Sequence, residues 1–86
     1  PQFGHQISKR FPWGAITLDL DVKGGVIDNL NIFSDSLSVE LIEYLKEVLP
    51  QTPYSSESMG EVLRRGSAEM EEMLQDLIKL IDEEVR

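Results

Sequence analysis

Partway along the chain the hydrophobic period changes, and that change decides the class of fold. From Ile16 to Val22 apolar and polar residues alternate, with Ile16, Leu18, Leu20 and Val22 set against Thr17, Asp19 and Asp21. This is the two-residue period of a strand with one buried and one wet face. After Ser34-Asp35-Ser36 the apolar residues Val39, Leu41, Ile42, Leu45, Val48 and Leu49 recur at helical spacing until Pro50 stops them. Strands gather in the first half and helices in the second. That order predicts an α+β domain in which a small antiparallel sheet, of two to three strands, is followed by three helices packed on one face.

The individual elements follow from local signals. Lys23-Gly24-Gly25 supplies a turn in which glycine takes positive φ, so Val26 to Phe33 is a second strand in a hairpin, with Val26, Leu30 and Ile32 on one side. Phe3 to Phe11 is a weaker strand, an edge or an arm, closed by Pro12-Trp13-Gly14. Ser38, with Glu40 just behind it, is expected to cap the first helix, with Ser36 as the alternative. Two prolines and three serines make 50–58 a loop, and Ser58 with Glu61 three residues on has the spacing of a capping box for a short second helix ending near Gly66. Beyond Ser67, at 100° per residue, Met70, Met73, Leu74, Leu77, Ile78, Leu80, Ile81 and Val85 fall in an arc of about 160°. Glu69, Glu71 and Glu72 sit in the first turn of this third helix, where the helix dipole favours anions.

Charge and composition exclude several functions. Sixteen Asp and Glu against eight Lys and Arg leave a net charge of −8, a field that repels phosphate backbones and argues against nucleic acid or anionic membrane as a partner. With 86 residues there is room for one domain and one core. No apolar run approaches the ~20 residues of a membrane span, so the expectation is a soluble, cytoplasmic protein. The chain opens on Pro1, which reads as a piece of a longer polypeptide.

Catalytic chemistry has little to build on. A nucleophilic triad needs a base beside its nucleophile, and the one histidine is His5, near the start. There is no cysteine, which removes disulfides and thiolate metal sites, and the remaining carboxylates lie mostly on the outer side of the third helix. Gly24-Gly25 has neither the Rossmann nor the P-loop spacing and reads as a hairpin turn. Neither a catalytic residue, a cofactor-binding residue nor a metal ligand is expected in this chain.

Several short motifs in order carry more information than any one of them. Pro1-x-Phe3-x-His5, Arg10-Phe11-x-Trp13-Gly14, the alternating strand into Gly25-x-Ile27, Ile32-Phe33-Ser34-Asp35-Ser36-Leu37 and then Tyr54 together resemble the C-terminal domain of bacterial lipoate–protein ligase A. The distinctive motifs span roughly residues 1 to 58, and the helices follow as a general pattern. Pro12 and Ser8-Lys9 are less typical of it.

The resemblance implies an accessory domain. In that family a separate N-terminal catalytic domain takes ATP, Mg and lipoate, forms lipoyl-AMP, and passes the lipoyl group to a lysine on a carrier domain. Those carriers are the lipoyl domains of 2-oxoacid dehydrogenases or the glycine-cleavage H protein. The partner of this chain would be that catalytic domain, with residues 1–14 as the end of an interdomain linker plus the first strand and 15–86 as the accessory domain itself. Residues 1–14 concentrate His5, Lys9, Arg10 and Trp13 in an acidic chain, which makes His5, Arg10 and Trp13 the expected interdomain contacts. Asp35 is a further candidate, although a residue between strand and helix more often makes an Asx turn or a cap. An interaction module without enzymatic ties, pairing through the amphipathic helix 67–86, is the alternative, and whether the sheet already covers that stripe separates the two.

Overall fold

The computed structural model describes residues 4–36 and 38–85. Three antiparallel strands, β1 (His5–Phe11), β2 (Gly14–Lys23) and β3 (Val26–Ser34), lie in the order β1-β2-β3. Helices α1 (Val39–Val48), α2 (Ser56–Leu63) and α3 (Glu71–Glu84) follow, with one turn of 3₁₀ helix at Ala68–Met70 leading into α3. The α+β expectation is met, with three strands and three helices. β1 is a full member of the sheet, paired from His5 against Leu20 to Phe11 against Gly14. Phe3 lies outside the described residues.

The alternation in β2 sets the two faces. Ile16, Leu18 and Leu20 are buried under the helices together with Ile7 and Phe11 of β1. On the opposite face cross-strand polar pairs run in rows: Gln6 Nε2 donates to Asp19 Oδ1 at 2.8 Å, and the hydroxyls of Ser8 and Thr17 meet at 2.8 Å. Gly24 and Gly25 form the hairpin turn with φ of 60° and 82°, the two positive values that a type I′ turn requires.

β3 departs from a simple alternation. Val22 pairs with Ile27 but Asp21 pairs with Asn29, so Asp28 is an extra residue and the ladder bulges there. The bulge shifts the parity of the strand. Ile27, fully buried, takes the core position next to Leu30 and Ile32, and Val26, expected there, is only half-buried.

Leu41, Leu45 and Leu49 of the first helical segment, Met59 and Leu63 of α2, and Met70, Leu74, Leu77, Leu80, Ile81 and Val85 all join one core with the sheet. The apolar stripe of α3 is therefore covered within this chain by α2 and β1, which removes the surface on which pairing through 67–86 depends. Arg86 lies outside the described residues. Val39, read as part of the first helix's apolar series, sits at its first position and is exposed.

Ser38 caps α1, its Oγ accepting from the Leu41 amide at 3.2 Å. The second helix differs from expectation: Ser55 is its cap, accepting from the Ser58 amide at 3.1 Å, and Ser58 lies inside the first turn. The reason is tertiary. The loop before it is tied to the sheet, Ile27 donating to the Thr52 carbonyl and Tyr54 to that of Gly25, both at 2.9 Å, so the chain is positioned to enter the helix immediately after Ser55. Ser67 does not cap α3, and its hydroxyl donates instead to Glu40 Oε2 at 3.2 Å. Glu69 accordingly belongs to the 3₁₀ turn, leaving Glu71 and Glu72 in the first α turn.

Candidate interdomain surface

The four contact residues expected from the sequence do not form one patch. In β1, Ile7 and Phe11 point to the core, so His5 and Lys9 share their side while Arg10 lies on the open face of the sheet. His5 opens β1 and Trp13 lies in the turn just past its other end at Phe11, so the length of the strand, about 20 Å at about 3.3 Å per residue, lies between them.

Each has its own neighbours. The His5 ring lies 4.5 Å from that of Tyr54, tilted by 37°. Burial, and secondly the nearby Glu84 carboxylate, push the Tyr54 phenol above its ordinary value of 10.0. Arg10 Nη1 lies 3.8 Å from Asp35 Oδ2, both side chains well exposed at 77% and 61%, so the pair contributes little stability.

Asp35 does not cap the following helix, whose cap is Ser38. Asp35 Oδ1 accepts from the backbone amide of Ala15 at 2.7 Å, so it clamps the start of β2. Serines complete the connection from strand to helix. Ser34 Oγ donates to the Ala15 carbonyl at 2.7 Å and accepts from the Ser36 amide at 3.0 Å, and Ser36 Oγ accepts from the Ser38 amide at 3.2 Å. Leu37 lies outside the described residues. Gly14 makes this close approach feasible: its φ is 140°, and a Cβ there would stand 2.9 Å from Asp35 Oδ1 and 3.1 Å from the Ser36 Cα.

Trp13 is half-buried and holds two elements together. Its indole stacks on Phe11 with centroids 4.8 Å apart and planes 7° from parallel, and its Nε1 donates to Asp76 Oδ2 of α3 at 2.8 Å. Beside it lies a groove of about 420 Å³ lined by Pro12, Trp13, Glu69, Glu72, Met73 and Asp76. Met70 is buried in the core, whereas Met73 is at the groove. Glu69, Glu72, Met73 and Asp76 recur at three and four residues on one side of the helix, a pattern visible in the sequence. Its meeting with Trp13, 63 residues away from Asp76, is not.

Among the described residues no group of three or more His, Cys, Asp or Glu is placed to hold a metal ion. No described helix is long and apolar enough to cross a membrane.

Against known proteins, residues 1–82 match the family model described as bacterial lipoate protein ligase C-terminus. The chain belongs to that family. It is 41% identical over 80 residues to the lipoate-protein ligase A of Psychrobacter cryohalolentis, covering 90% of this chain and 24% of that protein. A second lipoate-protein ligase A, from Blochmanniella pennsylvanica, is 41% identical over 59 residues, 69% of this chain and 17% of that protein. Among solved structures, P. falciparum LipL1 in complex with lipoate superposes with a TM-score of 0.86 at 32% identity, covering 98% of this chain and 25% of LipL1. The chain thus spans about a quarter or less of the length of the relatives it matches.

Within a lipoate protein ligase C-terminal domain the motif residues take on structural meaning. Trp13-Gly14 and Ser34-Asp35-Ser36 meet where the turn after β1, the start of β2 and the end of β3 converge. They build the corner from which the helices depart.

Proposed function

We propose that this chain is the accessory domain of a lipoate–protein ligase, supporting the ATP-dependent activation of lipoate to lipoyl-AMP and the transfer of the lipoyl group to a lysine of a lipoyl carrier domain. The match of residues 1–82 to the C-terminal family carries this reading. The chemistry belongs to the ligase's catalytic region, and the domain by itself is not catalytic. The catalytic region is the partner, the carrier domains are its substrates, and the whole acts in the cytoplasm.

The residues present do not fit ATP and Mg. The groove is rimmed by the carboxylates of Glu69, Glu72 and Asp76, which repel a triphosphate, and no glycine-rich loop opens a helix. ATP, Mg and lipoate are therefore assigned to the catalytic region. A domain without reacting groups acts by binding one arrangement of its partner more tightly than another, and each tenfold shift in population needs about 1.4 kcal/mol of differential affinity.

The test compares the catalytic region of the parent ligase with and without this domain, in two half-reactions. Formation of lipoyl-AMP should be stimulated more than lipoyl transfer from preformed lipoyl-AMP. Equal stimulation of both, or of neither, would sink the proposal.

A further inference from the structure

Resting on that reading, we infer that the groove between Trp13 and the start of α3 is the socket for a basic side chain, an arginine or lysine, carried by the catalytic region of the ligase. The groove combines two chemistries. Trp13, Met73 and Pro12 give it an apolar lining, while Glu69, Glu72 and Asp76 place carboxylates around it. A wholly apolar occupant would strip water from those carboxylates without replacing it, and an anion would be repelled. An apolar stem ending in a cation satisfies both parts, and lysine and arginine are the side chains with that form.

The local electrostatics leave the cation to come from outside. Five of the sixteen carboxylates have a cation nearby: Asp21 and Asp28 lie near Lys23, Asp35 near Arg10, Glu43 near Lys46 and Glu61 near Arg65. Among the described residues Glu69, Glu72 and Asp76 have no cation within 4.0 Å. Lys9, on the neighbouring strand, lies over the Phe11 ring at 5.6 Å from its centroid. Asp76 is also held in place, since its Oδ2 accepts from the Trp13 indole. Phe11 covers one face of that indole, and tryptophan is the aromatic on which a cation binds best.

Charge complementarity names the occupant's source. A domain of net charge −8 docks on a basic surface, and a region that handles a triphosphate must itself present basic groups. Buried aromatic and arginine pairs are also the contacts that most often dominate interface affinity.

Two measurements test this. In the first, Nα-acetyl-arginine methylamide and Nα-acetyl-lysine methylamide are titrated into the 86-residue protein, with the indole N–H of its single tryptophan followed by NMR. A saturable shift is expected, at least tenfold weaker for the uncharged Nα-acetyl-norleucine methylamide and lost in the Glu69→Lys/Glu72→Lys double variant. No shift with either cation, or equal binding of norleucine, overturns the socket. In the second, affinity for the catalytic region is measured. The double reversal should weaken it at least tenfold, the Glu69→Gln/Glu72→Gln variant by less, and Glu83→Lys, exposed near the far end of α3, by under threefold. Near-UV circular dichroism establishes that each variant is folded, and the Gln pair decides the matter if the Lys pair is not. Equal losses from Glu83→Lys and a single reversal at Glu72 would mean long-range charge alone and would overturn the socket. If the wild-type domain neither binds nor stimulates the catalytic region, the accessory reading and this choice of occupant both fall. The model-compound titration then still reports separately on the cation site.

Discussion

Replacing Gly14 by Ala tests the corner on which the sheet and the first helix depend. Its φ of 140° lies where a Cβ is strained, at a cost of about 1 to 2 kcal/mol. The added carbon would also stand 2.9 Å from Asp35 Oδ1, which must move and loosen its 2.7 Å bond from the Ala15 amide. That bond is on the exposed side of the protein, so its loss contributes about 1 kcal/mol. The Ser36 Cα, 3.1 Å from the same carbon, is backbone and cannot swing aside as a side-chain tip would. The expected loss is about 2 to 3 kcal/mol, which for a domain of this size lowers Tm by roughly 10 to 20 °C. Thermal and urea unfolding of wild type, Gly14→Ala, Asp35→Ala and the double variant form a cycle that separates the two contributions. In the Asp35→Ala background the glycine substitution should cost about 1 kcal/mol less, because the clashing carboxylate is gone. A loss under ~0.5 kcal/mol for Gly14→Ala alone would mean that the corner accommodates a Cβ without strain.

Two further substitutions probe the core and the second helix. Leu77 is fully buried, and Leu77→Ala should cost about 2 to 5 kcal/mol in urea unfolding, with the wild type monomeric by gel filtration. A loss below ~0.5 kcal/mol, or a dimer at low concentration, would return α3 to the role of a pairing helix. Ser55→Ala should cost on the order of 1 kcal/mol and Ser58→Ala only a few tenths, and the reverse order would restore the cap to Ser58.

Membership of the family sets how these residues are to be understood. The motifs that carry the resemblance are largely those that build the corner around Gly14 and Asp35 and the anchor at Trp13, so their first role is to hold the domain's shape. His5 stands at the start of β1 beside Tyr54, Arg10 on the open face of the sheet and Trp13 in the turn after β1. Any interdomain role for them is exercised from three separate places on the domain.

The α+β class, the β2–β3 hairpin and the three helices are legible along the chain. Those follow from local periodicities, from glycines able to take positive φ, and from Pro50 as a helix stop, all of which act within a few residues. Ser38 was legible as a cap for the same reason, since a cap bonds an amide three residues on. Tertiary structure alone decided the rest. The bulge at Asp28 exchanges Val26 for Ile27 in the core because pairing with β2 sets the register, and two neighbouring apolar residues look equivalent before that pairing exists. The start of α2 moves to Ser55 because the preceding loop bonds to the sheet at Ile27 and Gly25. The Asp35 clamp on Ala15 and the groove of Trp13, Met73, Glu69, Glu72 and Asp76 likewise join residues that are distant along the chain. Local period carries no information about which helix face will meet which turn, and that meeting is where the charged groove arises.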